Sequence, residues 1–110
     1  MSSMSEVYEK KDRLNQLFDF YGVLLTSRQK EIFEMYNLND FSLSEIGNSL
    51  EVTRNAVFDS LKKVETILED YESKLNLVKN YTKRAQLIDD LKSHLDEEGI
   101  KIVEQLDRME

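Results

Sequence analysis

Seven apolar residues constrain this chain more than anything else in it. Val57, Leu61, Val64, Leu68, Tyr71, Leu75 and Val78 alternate spacings of four and three, and only a helix brings such positions onto one face. The spacing predicts one long helix over about 54–79, with the Thr53 hydroxyl as its cap. Two further starts stand upstream. Thr26-Ser27-Arg28-Gln29 and Ser42-Leu43-Ser44-Glu45 both have the capping-box pattern, in which a hydroxyl accepts the backbone N–H three residues on and Gln or Glu reaches back. Ile32, Phe33, Met35 and Tyr36 follow the first box, and Ile46 and Leu50 follow the second. Asn37 to Phe41 reads as a polar break. Val7, Leu14, Leu17, Phe18 and Tyr21 outline an earlier helix from Glu6, with Gly22 as its stop. A break expected at Tyr81–Arg84 leads to two C-terminal stripes within about 84–109. These are Leu87, Ile88, Leu91 and Leu95, then Ile100, Val103, Leu106 and Met109. No stretch alternates as a strand does. The expected fold is all-α, a single helical domain over residues 1–110 with a long helix and additional C-terminal helices.

Composition agrees. The chain has 110 residues, 3 Gly and no Pro, so nothing punctuates it into two domains. A hydrophobic content of 40% supplies a core. Cysteine is absent, which removes disulfides, thiolate metal sites and cysteine nucleophiles together and suits a reducing compartment. No apolar run approaches the roughly 20 residues of a membrane span, and Met1 to Lys11 is polar without a signal core. The expected setting is cytoplasmic, without membrane insertion. The formal net charge is −7, of which residues 64–110 supply −5. A strongly acidic balance is the opposite of the usual footprint of a nucleic-acid binder.

The segment from Leu43 to Lys63 carries the functional signal. A short helix, a tight turn near Leu50-Glu51-Val52 and a second helix opened by a hydroxyl cap make a helix-turn-helix over about 42–63. Its inward positions are Ile46, Leu50, Val52, Val57 and Leu61. Two helices that cross steeply need a small residue after Ile46, and Gly47 is small. Thr53, Arg54, Asn55, Phe58 and Lys62 then face outward as candidate nucleic-acid-binding residues. Arg54 and Asn55 have base-reading geometry, and Thr53 and Lys62 suit phosphates. From Ser42 to Lys63 the charges balance at three basic and three acidic side chains.

These residues also carry a resemblance. Leu25-Thr26 with Arg28-Gln29, Asp40-Phe41-Ser42-Leu43-Ser44-Glu45-Ile46, and Val52-Thr53-Arg54-Asn55-Ala56-Val57-Phe58-Asp59 resemble the helix-turn-helix of sigma-factor region four. With Leu17-Phe18-Asp19-Phe20-Tyr21, Leu68-Glu69-Asp70-Tyr71-Glu72 and Lys74-Leu75, the chain looks like the YlxM-like family over roughly residues 13–84. The resemblance implies a helix-turn-helix component of the signal recognition particle pathway, because genes of that family lie beside those of the targeting GTPases. Three positions depart from the pattern. Glu51 stands where many DNA-binding versions have a turn glycine, Phe58 stands where tyrosine is common, and the acidic tail after residue 85 matches less well.

Other constellations read as ordinary structure. His94 is the only histidine and has no ligand-spaced partners, so it reads as a surface or helix-end residue. Asp89-Asp90 and Asp96-Glu97-Glu98 suit solvated helix starts. Tyr8, Tyr21, Tyr36, Tyr71 and Tyr81 read as core edges. With no phosphate loop, nucleophile elbow or paired catalytic acid, the chain reads as a non-enzyme without metal or cofactor. Two function classes stay open. One is a regulatory or accessory protein that binds DNA or RNA through the second helix of the motif. The other is a protein-interaction module that binds a targeting GTPase without nucleic-acid contact. Signal recognition particle components are the implied partners. The amount of apolar stripe leaves two outcomes, the last two helices folded back along Leu68–Val78 in a monomer or paired with a second copy, and the homodimer is the expected one.

Overall fold

The computed structural model describes residues 4–109, of which Met4 and Ser5 are described in backbone only. Six α-helices and no strand occur among them: α1 (Met4–Tyr21), α2 (Ser27–Phe33), α3 (Leu43–Leu50), α4 (Arg54–Leu75), α5 (Leu77–Lys92) and α6 (Glu97–Asp107). The all-helical expectation is borne out. Where the sequence reads as one domain, the chain gathers into two compact units, Met1–Asn76 and Leu77–Glu110.

Local chemistry sets the starts. Both capping boxes form as read. Thr26 Oγ1 accepts the Gln29 N–H at 3.2 Å and Gln29 Oε1 accepts the Thr26 N–H at 3.0 Å. At α3, Ser42 Oγ accepts the Glu45 N–H at 3.0 Å and Glu45 Oε1 accepts the Ser42 N–H at 2.9 Å. That backbone N–H and the Ser42 hydroxyl hold the Glu45 carboxyl below its usual pKa. A 3₁₀ turn over Gly22–Leu24 follows α1. Beyond Phe33, α2 widens into a π-helical turn, Glu34–Leu38, that covers part of the stretch expected to be a break. Asn37 is buried there, and its amide donates to Asn15 Oδ1 at 3.4 Å.

In the first unit the core gathers Leu17, Tyr21, Ile32, Phe33, Ile46, Val57, Val64 and Leu68, all nearly or fully buried. Phe18 stacks on Phe33 with ring centroids 4.4 Å apart. α1 lies along α4, and their partners advance together, so the two helices run the same way. Lys10 meets Glu65 at 3.2 Å, Arg13 forks onto Glu69 at 2.8 and 2.9 Å, and the Tyr21 hydroxyl donates to buried Glu72 at 2.6 Å. The Val57–Val64–Leu68 part of the stripe is thus covered inside one chain, while Leu75 at the end of α4 stays 49% exposed.

The long helix ends earlier than its stripe. α4 stops at Leu75, because Asn76 is left-handed at φ 54° and its N–H closes on the Glu72 carbonyl at 2.8 Å. Asparagine tolerates that conformation better than most residues. Val78, the last stripe residue, belongs to α5, which continues through Tyr81–Arg84 where a break was expected.

The second unit is a hairpin of α5 and α6. Asp96 caps α6 by accepting the Gly99 N–H at 2.8 Å. Arg84 pairs with Asp107 at 3.1 Å and Lys92 with Glu104 at 3.7 Å. His94 lies exposed beyond α5, 4.0 Å from Asp90.

Candidate nucleic-acid interface

The α3–turn–α4 junction is built from three residues. Gly47 lets α3 approach the turn closely, since a Cβ there would sit 2.8 Å from the Val52 carbonyl oxygen. Glu51 reverses the chain in the left-handed region, at φ 58° and ψ 43°. The Val52 N–H donates back to the Gly47 carbonyl at 2.9 Å. Thr53 then caps α4, its Oγ1 accepting the Ala56 N–H at 3.0 Å. Ile46 and Val57 are fully buried at the crossing, and Leu50 and Leu61 pack against them. Val52 departs from the expected inward set and is 40% exposed. The turn uses its backbone, and its side chain is left outside.

The five expected contact residues divide into two groups. Thr53, Arg54 and Asn55 form the exposed N-terminal turn of α4. A helix start of this kind receives anions well, because its N–H groups and dipole are positive there. Arg54 makes no ion pair among the described residues. Phe58 and Lys62, one and two turns along, are also exposed but engage their own protein. The Lys62 ammonium lies 5.6 Å from the Phe58 ring centre and 3.8 Å from Glu65. Both residues line a cleft of about 310 Å³, together with Val7 and Leu14 of α1, Tyr36, and Leu61 of α4. On its rim Lys10 bonds Glu65, whose carboxylate raises the Lys10 pKa above its ordinary value. The sequence showed which side of α4 faces away from the motif core. It held no sign that α1 would run along the same helix.

At 100° per residue, the side of α4 opposite Val57, Val64 and Leu68 centres on Asn55, Asp59, Lys62 and Thr66. An acid therefore sits in the middle of the presented surface. Lys63, exposed and without an ion pair among the described residues, is a cation that the site reading missed. Its place directly after Lys62, on the flank of α4 away from Phe58, was the available signal. No three His, Cys, Asp or Glu among the described residues are arranged to hold a metal, and no helix there is long and apolar enough to cross a membrane.

Comparison with known proteins places this geometry in a family. The family model described as "Putative helix-turn-helix protein, YlxM / p13 like" matches residues 8–108. That match takes in the C-terminal hairpin as well as the motif. A UPF0122 protein of Anoxybacillus flavithermus is 44% identical over 108 residues, covering 93% of this chain and 98% of the relative. UPF0122 protein YlxM of Bacillus subtilis is 44% identical over 107 residues, covering 93% and 97%. UPF0122 protein lin1916 of Listeria innocua is 43% identical over 106 residues, covering 91% and 96%. On this match and these identities, the chain belongs to the YlxM/p13-like helix-turn-helix proteins.

Proposed function

We propose that this chain is a regulatory or accessory protein that binds DNA or RNA through the N-terminal turn of α4. The observation that carries the reading is the exposed Thr53-Arg54-Asn55 start of a helix aimed by the Gly47–Glu51 turn. Arg54 is the base-reading or phosphate-binding cation. Asn55 offers an amide for a base edge, and Thr53 holds the turn in shape. Phe58 and Lys62 border this surface, and Lys62 reaches a phosphate only by leaving Glu65. The proposed setting is the cytoplasm and the signal recognition particle pathway, which the family resemblance implies. The proposed assembly is a homodimer, since readers of this type commonly engage two half-sites.

A second reading rests on a specific feature, the Asp59 carboxylate at the centre of the presented face. In that reading the same scaffold binds a basic protein partner such as a targeting GTPase, without nucleic acid. Pull-down of cell extract on the full chain, with and without nuclease, separates the two. Nucleic-acid binding predicts a retained nucleic-acid fraction that nuclease removes along with its associated proteins. A protein partner retained equally after nuclease supports the second reading.

A further inference from the structure

The cleft between α1 and α4 leaves one polar group unanswered. Asn37, 8% exposed, belongs to the π-helical turn that forms part of the cleft wall. Its amide nitrogen donates to Asn15 Oδ1 at 3.4 Å, and its amide oxygen accepts no hydrogen bond among the described residues. No fully enclosed side-chain nitrogen or oxygen among those residues lacks a partner, so this oxygen reaches the open volume of the cleft. A buried acceptor left without a donor is costly. Whatever fills the cleft must therefore bring an N–H or O–H to Asn37.

The rest of the wall is aromatic, apolar and cationic. Phe58 of α4 and Val7 of α1 are 46% and 43% exposed, and Phe33, nearly buried, lies deeper. A lysine sits over each outer ring: Lys62 is 5.6 Å from the Phe58 ring centre, and Lys11 is 4.7 Å from that of Tyr36. The lining holds three lysines and two glutamates in a chain of net charge −7. One of those acids, Glu65, is shared by Lys10 at 3.2 Å and Lys62 at 3.8 Å. Lys11 also meets Asp40, 3.7 Å away. The volume of about 310 Å³ is at the small end of ligand sites, which suits one ring system.

We propose that this cleft takes one unpaired nucleobase of a bound nucleic acid. The base lies against Phe58, its amino or imino edge donates to Asn37, and its phosphate comes beside Lys62. Proteins hold unstacked bases by these same contacts, an aromatic face, a polar group at the base edge and a cation. The inference rests on the nucleic-acid reading above and deepens it, because Phe58 and Lys62 are both cleft wall and part of the exposed side of α4. Phe58 stands one turn beyond Arg54, so a strand met by the first turn of α4 carries its next bases toward the cleft. An aliphatic protein side chain fills the same volume but brings no donor for Asn37.

The test is fluorescence anisotropy of the full chain with three labelled RNA hairpins of one stem sequence, at about 50 mM KCl. One carries a single unpaired adenine, one an abasic nucleotide at that place, and one is fully paired. The adenine hairpin is expected to bind roughly tenfold tighter than the other two, within the worth of one base stacked on an aromatic ring. Val7→Trp fills the cleft without adding charge. It is expected to abolish that advantage and leave affinity for the paired hairpin unchanged. Asn37→Leu, which removes the acceptor, is expected to reduce the advantage as well. Circular dichroism melting checks that both variants fold. The same three hairpins made of DNA tell which sugar the bound strand carries. Equal affinity for adenine and abasic hairpins, or an advantage that survives Val7→Trp, overturns the base site, leaves the nucleic-acid reading standing and makes a protein side chain the remaining occupant. If the unaltered chain binds none of the hairpins, both readings fall.

Discussion

At the scale of single residues, the turn of the helix-turn-helix holds a measurable strain. Glu51 occupies the left-handed region at φ 58°, which costs an L-residue roughly 1–2 kcal/mol. Glycine removes that cost and adds some backbone entropy to the unfolded chain. Glu51→Gly is therefore expected to raise stability by roughly 1 kcal/mol, seen as a higher urea midpoint. Gly47 answers a different demand. A Cβ at 2.8 Å from the Val52 carbonyl forces backbone to move, so Gly47→Ala is expected to lower stability by about 1–3 kcal/mol. An unchanged midpoint in both variants would contradict this geometry of the turn. The sequence carried both facts in part. Gly47 was legible as a small residue at a helix crossing, and Glu51 as a departure at a turn position. Burial of Glu72 under the Tyr21 hydroxyl was not legible, because it depends on α1 lying beside α4.

At the scale of elements, local chemistry was readable and its endpoints were less so. Both capping boxes and the Thr53 cap involve residues three apart, and each forms as its pattern dictates. The end of α4 was hidden because the four-three stripe continues across Asn76 into Val78. A left-handed asparagine interrupts a helix without disturbing the spacing of apolar side chains around it. The same stripe looked available for pairing until α1 and α2 covered Val57, Val64 and Leu68. An apolar line that stays open lies on α6. Ile102 and Leu106 are 66% and 61% exposed and their i, i+4 spacing puts them on one face, and Met109, just past the end of the helix, is 80% exposed. Water contact along such a stripe costs about 25 cal/mol per Å². If the homodimer forms through this face, sedimentation equilibrium at micromolar concentration gives twice the 13.0 kDa chain mass, and Ile102→Glu/Leu106→Glu returns it to one chain. A single-chain mass for the unaltered protein would rule the homodimer out.

At the scale of the whole molecule, the acidic excess and the helix-turn-helix pull in opposite directions. A chain of net charge −7 approaches a polyanion against long-range repulsion, so its binding must rest on a few well-placed cations. Arg54 at the start of α4 is the first of these. The fold and family were legible because caps, turn and stripe are local patterns. The division of the five site residues into an open group and an engaged group was not, because it follows from which helix packs on which. The most direct measurement is the affinity of the full chain for DNA duplex and RNA hairpin at about 50 mM KCl, compared with Arg54→Ala. Binding that weakens at least about tenfold in the variant, equivalent to about 1.4 kcal/mol, is expected when α4 reads nucleic acid through its first turn. Equal binding by the two proteins, or no binding by the unaltered chain, would contradict it.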